Sequence, residues 1–463
     1  MLRKKPNLEE QPLRTWLATV DMGLGHQRAV HPLLDLAEGG LITVGKDSAS
    51  YPEEIKTWNR MQRTYDSLSR IRSIPIIGKP LFGLVDSIQS IAPFYPMTDK
   101  SHPTYQVRFL SRSIGRGMCK GMLEKIAEKP LPLITSHPIP ALAADTAEHG
   151  LIYCIVCDAE ISRTWVAEEP RKSRIQYLAP CGRAVRRLRS YGVPDERIFL
   201  TGFPFPKSVL GDEGLDLLLD DVGQRLLRLD PHDRFWPLHG RNVEHFLGRA
   251  NCKPKGDRPL TITYAVGGAG AQKEYGAQIA ESLADEIRGG AVMLNLVAGV
   301  RPEVNEYFHQ VKASVLPDDD GISVIYRESK AAYFEEFARI IRNTDVLWTK
   351  PSELSFYCGL GIPIIMAPTL GAQEIYNRRW LQEIQAGIDQ EDPRYTHQWL
   401  FHLLEEGRLA ESAWDGFLKA RKFGTYKIGE ILATGTMAHE GSPSSSRGMR
   451  IFPASTRHRA SPR

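Results

Sequence analysis

Apolar positions along the chain gather in short runs between glycine turns and helix-like stretches, and this alternation begins twice. Thr15 to Val20 is a compact apolar run; it leads into Asp21-Met-Gly-Leu-Gly-His-Gln-Arg-Ala29 and a helical pattern through Leu36. Strand, glycine turn and helix in that order open a doubly wound sheet. Further strands are expected at Leu41 to Val44, Leu133 to Ser136, Leu151 to Cys157, Gln176 to Leu178 and Ile198 to Thr201. A mostly helical stretch, broken by proline-rich turns, fills 52–128. The second start is Leu260 to Val266, then Gly267-Gly-Ala-Gly270 and a helix from Gln272 to Ile287. Strands follow at Val292 to Ala298, Ser323 to Tyr326, Asp345 to Trp348 and Ile362 to Ala367, with helices between them and a last one over Phe417 to Leu432. Such alternation predicts parallel sheets covered on both faces. The expected class is α/β, with two doubly wound, Rossmann-like domains facing a cleft. Their bounds are 14–206 and 259–433, joined by an interdomain connection carrying an insertion at 207–258. A Ser/Pro/Arg-rich tail at 434–463 is expected to be disordered.

Composition narrows the classes. With 463 residues the chain can bury sizeable cores, and a formal charge of +4 is too small for this length to imply a nucleic-acid partner. No apolar run approaches the roughly 20 residues that span a bilayer, and the N-terminus has no apolar signal region. Six cysteines do not suggest a disulfide scaffold. Cys154 and Cys157 form a CxxC, but Leu-Ile-Tyr-Cys-Ile-Val-Cys reads as a buried strand and no second CxxC accompanies it. A reduced, cytoplasmic protein is the simplest expectation.

Three constellations carry candidate chemistry. Gly23 and Gly25 let backbone approach a ligand at the mouth of a helix, and His26 beside them is suited to general-base work near neutral pH. A tight turn with a structural histidine would look the same. Gly267, Gly268, Ala269, Gly270 and Ala271 repeat the design in the second half, with room for a diphosphate over the following helix. The alternative is a packing turn. The third lies around Trp348-Thr-Lys-Pro-Ser-Glu and Gly371-Ala-Gln-Glu-Ile-Tyr-Asn377. Lys350 could neutralise phosphate, and Glu353, Gln373, Glu374 and Asn377 could hydrogen-bond sugar hydroxyls; a solvated loop with Ser352 capping a helix is the alternative.

Taken in order, these motifs resemble a known group. Gly-Leu-Gly-His-Gln-Arg-Ala, Ser136-His137-Pro138, Asp158 with Trp165, and Gly202-Phe-Pro look like successive acceptor-domain motifs. Gly-Gly-Ala-Gly-Ala, Thr-Lys-Pro and Gly-Ala-Gln-Glu-x-x-Asn look like donor-domain motifs. The group is the inverting, family 28-type GT-B glycosyltransferases: monogalactosyldiacylglycerol synthases, diacylglycerol glucosyltransferases and the N-acetylglucosaminyltransferase of peptidoglycan precursor synthesis. The similarity spans about 14–206 and 260–390. It implies transfer of a hexose-type sugar from a nucleotide-diphosphate sugar, UDP-linked by expectation, to a hydroxyl acceptor. Gly267 to Ala271 would hold the diphosphate, Gln373 and Glu374 the sugar, and Lys350 would lie near the nucleotide. His26 or Asp158 would be the base, with Gly23, Gly25, His137 and Trp165 on the acceptor side. No cofactor and no essential metal are expected.

The segment Ser352-Glu-Leu-Ser-Phe-Tyr-Cys-Gly-Leu-Gly-Ile-Pro363 departs from the group: it is shorter and its glutamate, Glu353, falls early. Two rival readings follow, a nucleotide-sugar 2-epimerase of the same fold and a non-catalytic nucleotide-sugar binder. On the acceptor side Arg108, Arg112, Arg116 and Lys120 recur every four residues, giving one basic helix face. Beside the apolar stretches Leu81 to Val85 and Ile91 to Pro96, that face suits peripheral contact with anionic membrane and a lipid acceptor. A solvated helix face is the plainer reading, as it is for Arg183, Arg186, Arg187 and Arg189.

Overall fold

The computed structural model describes residues 13–46, 51–60, 91–267, 270–317 and 320–437. Two six-stranded sheets, parallel throughout, organise the chain. The first contains β1 (Thr15–Val20), β2 (Ala37–Val44), β3 (Leu133–Thr135), β4 (Ile152–Ile155), β5 (Ile175–Ala179) and β6 (Ile198–Leu200), in the order β2-β1-β3-β4-β5-β6. The second contains β7 (Leu260–Ala265), β8 (Val292–Gly299), β9 (Ile322–Tyr326), β10 (Val346–Thr349), β11 (Ile364–Met366) and β12 (Gly387–Asp389), in the order β12-β11-β10-β7-β8-β9. β1 and β7 are buried at every position, as a parallel strand covered on both faces must be. This is a two-domain α/β architecture of doubly wound, Rossmann-like sheets.

The strand order fixes where ligands can enter. In each sheet the chain runs outward from its first strand, then crosses back to that strand's other side. The crevices therefore open between β1 and β3 and between β7 and β10. Register levels the strand ends there: Ala18 pairs with Thr135, and Ala265 with Thr349. Both glycine-rich loops follow the first strand of their sheet, so both lie at crevice mouths.

Several elements differ from the sequence pattern. The first helix is Gly25–Val30, continued to Leu36 only as a 3-10 turn, because Pro32 has no N–H for a further α turn. The pattern over 417–432 is two helices, Arg408–Lys419 and Gly424–Thr434, with Ala420 extended between them. There the chain turns back to the first domain, and a Cβ at Gly424 would lie 2.4 Å from the Phe203 carbonyl. Ser352 makes no side-chain cap; the segment behind it is the 3-10 turn Glu353–Leu360. The basic stripe is interrupted: one helix is Tyr105–Gly115, Cys119 is left-handed (φ 70°), and Lys120 begins a second helix, Lys120–Ile126. Leu81 to Val85 lies outside the described residues, as does the tail beyond 437.

The 207–258 connection is largely helical and docks on the second domain. From Asp216–Arg228, buried Arg225 donates to the Thr344 and Leu360 carbonyls at 2.7 and 2.8 Å, and Arg228 pairs with Asp345 at 3.0 Å. Buried apolar side chains of both domains form one connected core. Among the described residues no helix is long and apolar enough to cross a membrane. Cys154 and Cys157 are buried free thiols pushed well up by burial, which suits a core strand and not redox work.

Candidate active site at the interdomain seam

At the mouth of the first sheet Gly23 adopts φ 77°, a left-handed turn that favours glycine. Gly25 is required for another reason: a Cβ there would sit 3.0 Å from Glu353 Oε2, which reaches over from the second domain. His26 follows, with Nδ1 2.6 Å from the Ser136 carbonyl. A carbonyl only accepts, so Nδ1 carries the proton and Nε2 keeps its lone pair. His137 has the opposite arrangement. Its Nδ1 accepts from the Ile139 N–H at 3.2 Å, capping the helix Pro138–Thr146, so its Nε2 carries the proton. The two rings meet edge to face at 4.7 Å, with the Trp165 ring 6.1 and 6.5 Å away. Burial holds both imidazoles below their ordinary range, His137 furthest, so both are neutral near pH 7.

The mouth of the second sheet is built from Gly267, Gly270 (φ 72°) and the half-buried Ala271, ahead of the helix Lys273–Ser282. Gly268 and Ala269 lie outside the described residues. A Cβ at Gly267 would meet Lys350 Cε at 2.4 Å, so the glycine leaves the path along which Lys350 crosses the crevice. Lys350 pairs with Glu374. That carboxylate also accepts from the Leu370 and Gly371 N–H groups, at 2.6 and 3.2 Å, at the start of the helix Ala372–Glu383. Gln373 is half-buried beside it.

The domains meet between these mouths. Asp158, just past β4, accepts from Asn377 Nδ2 at 2.9 Å. Asn377 Oδ1 accepts from the Ala159 N–H at 2.8 Å, and Nδ2 also donates to the Pro351 carbonyl at 3.3 Å. Asn377 is thus fully engaged across the seam. The Asp158 carboxyl is pushed up to about 6, by burial first and then by Glu353 and Glu374, against the opposing Asn377 hydrogen bond and the Lys350 charge. Glu353 is held by Arg28 at 3.1 Å.

Arg28, Asp21 and Lys330 are seam residues whose role no motif announces. Arg28 leaves the first domain and lies over four rings of the second, with Tyr333, Phe334, Phe337 and Tyr357 centroids at 5.3, 5.0, 4.5 and 5.9 Å. Its Nη2 donates to the Tyr333 hydroxyl at 3.1 Å. Asp21 pairs with Lys46 of its own domain and Lys330 of the other. The one local signal was an arginine on the helix face that continues into buried Ala29 and Val30.

The seam therefore offers a neutral imidazole with a free lone pair, a carboxyl titrating near neutrality, and a glycine turn with an ammonium group beside a helix start. Together these can accept a proton and receive an anion.

A family model described as "Domain of unknown function (DUF6938)" matches residues 301–431. No curated protein matches the chain. Solved structures similar to it include MurG of Acinetobacter baumannii, at 13% identity and TM-score 0.44 over 90% of this chain and 99% of that one. The glycosyltransferase SnogD of Streptomyces nogalater is similar at 13% identity and TM-score 0.46, over 91% and 100%. The UDP-GlcNAc 2-epimerase of Methanocaldococcus jannaschii, in complex with UDP-GlcNAc and UDP, is similar at 13% identity and TM-score 0.39, over 90% and 99%.

Proposed function

We propose that the chain is an inverting glycosyltransferase, moving a hexose-type sugar from a nucleotide-diphosphate sugar to a hydroxyl acceptor. The observation that carries this reading is the pairing of unlike mouths. A neutral imidazole with its lone pair fixed faces the seam from one switch point, and a glycine turn with Lys350 faces it from the other. In the proposed step His26 Nε2, or the Asp158 carboxylate, takes the acceptor proton as the acceptor oxygen bonds to the anomeric carbon. The bond from that carbon to the diphosphate breaks with inversion. The departing charge falls to the backbone N–H groups ahead of Lys273 and to Lys350. These groups supply the stabilisation without a metal ion, so turnover is expected to continue in EDTA. Exposed Tyr95, Met97, Tyr105 and Phe109 lie close in the chain to exposed Arg108, Arg112 and Arg116. An apolar, basic surface of this kind supports an acceptor presented on anionic membrane.

The test is a donor-hydrolysis and transfer assay over UDP- and GDP-sugars, with soluble acceptors and with lipid acceptors in anionic vesicles. Absence of donor binding and of turnover across the whole panel overturns the reading. Within it, His26→Ala or Asp158→Ala is expected to lower turnover by ~10²–10⁴-fold with donor affinity retained. Unchanged rates in both variants remove the proposed bases.

A second reading, nucleotide-sugar 2-epimerisation, is favoured by one observation: Asp158 titrates near neutrality beside two further carboxylates, an arrangement suited to reversible proton transfer. Incubation with UDP-N-acetylglucosamine alone in heavy water separates the two, because epimerisation places deuterium at C2 and transfer does not.

A further inference from the structure

One buried amide joins the two halves of the site. Asn377 has no exposed surface, and its side chain uses both donor hydrogens and its acceptor oxygen. Two of those bonds cross the seam to consecutive first-domain groups, the Asp158 carboxyl and the Ala159 N–H. The third reaches Pro351, the residue after Lys350. One turn earlier on the same helix is Glu374, the partner of Lys350. Only an amide gives a donor to the carboxyl and an acceptor to the N–H from one planar group of this length.

The charges acting on Asp158 share one origin. Glu353, Glu374 and Lys350 all belong to the second domain, and Glu353 is itself paired with first-domain Arg28; from its own domain Asp158 is faced by Cys157, whose thiol shares the Ser136 carbonyl with His26. Parting the domains would remove the hydrogen bond and all three charges together and return the carboxyl to water. We infer that Asn377 is a positioning residue that couples closure of the cleft to Asp158, so that the carboxyl takes up its working environment only when the donor-side helix is docked. The inference rests on the proposed role of Asp158 as a base, but its geometry can be read without turnover.

The experiment uses the full chain with Asn377→Ala, and with Asn377→Ser in case the alanine variant does not fold. Hydrogen exchange at the Ala159 amide is expected to speed up at least tenfold, while amides of β1 and β7 exchange as in the parent. With the seam still held by Arg28–Glu353 and Asp21–Lys330, a ¹³C titration of Asp158 is expected to move to higher pH, because burial remains and the lost N–H donor favoured the ionised form. If the transferase reading holds, the acidic limb of kcat/KM moves up with it and activity recovers towards pH 8, with donor KM unchanged. A role confined to packing would lower activity equally at every pH and leave the titration in place. Unchanged exchange at Ala159 together with an unmoved Asp158 titration overturns the inference. Shifted exchange and titration in a protein with no transferase activity uphold the coupling and overturn the transferase reading alone.

Discussion

Asp158 and the two glutamates that act on it, Glu353 and Glu374, each have a different kind of partner. Glu353 has a guanidinium, and Glu374 an ammonium and two backbone N–H groups. Asp158 has a neutral amide, whose hydrogen bond does not offset burial, and its carboxyl is pushed up to about 6. Its raised affinity bears on stability as well as chemistry. A carboxyl bound more tightly to its proton in the folded chain stabilises the fold below its unfolded value near 4, and that contribution is lost as pH rises through about 6. Asp158→Asn mimics the protonated form. It is therefore expected to raise the melting temperature relative to the parent at pH 8, by about 1 °C for each kcal/mol relieved in a cooperative unit of this size, and to leave it unchanged at pH 4. Calorimetry at the two pH values decides, and a gain of equal size at both would show that titration is not the cause. A more stable but inactive variant would mark Asp158 as a site where the fold gives up stability for function.

At the scale of elements, the glycine turn after β7 and the strand end at Lys350 act as one unit. Gly267→Ala drives a methyl group into the Lys350 stem, which can swing aside because it is flexible. Stability should change by less than ~1 kcal/mol, while affinity for a nucleoside diphosphate falls at least tenfold by titration calorimetry. Unaltered affinity would mean that this turn is not the anion mouth. These elements were legible because β1 and β7 are mostly apolar runs, interrupted only by threonine, with a glycine following within three residues. Sheet order was not legible, since it is set by pairing between distant strands, and yet it is what puts both loops at crevices. The sequence over 417–432 reads as one helix, but the chain leaves the helix at Ala420, where Arg421 packs within 2.7 Å of where a Gly202 Cβ would be. Asn377 stood out as a polar residue in a donor motif, and its partners lie in the other domain. Arg28 looked like any helix arginine, because Tyr333 lies 305 residues further along the chain.

At the scale of the whole molecule, the two sheets are pinned rather than merely adjacent. Arg28 enters a cage of second-domain rings, Asp21 bridges to Lys330, and Asn377 clasps Asp158 and Ala159. Arg28→Ala empties the cage and strands Glu353, an uncompensated charge of the kind that costs on the order of 3 kcal/mol. Thermal unfolding by calorimetry is expected to fall in temperature and to divide into two transitions. A single transition within 1 °C (roughly the shift of 1 kcal/mol in a cooperative unit of this size) would show that Arg28 does not lock the domains. The return of the chain over 421–434 adds a further tie: Thr425 donates to the Phe205 carbonyl and Tyr426 to that of Gly211.

That return has a consequence in time. Phe205 and Thr425 are separated by 220 residues, and at ribosomal rates of about 5–20 residues per second the interval between them is roughly 10–45 s. Phe203 and Phe205, buried in the finished protein, leave the ribosome long before Phe356 and Tyr357, whose rings pack on theirs, and before the helix Gly424–Thr434 that meets their carbonyls. The first half can build its sheet during synthesis, but its floor stays open to water, or to a chaperone, until almost all of the described chain has emerged.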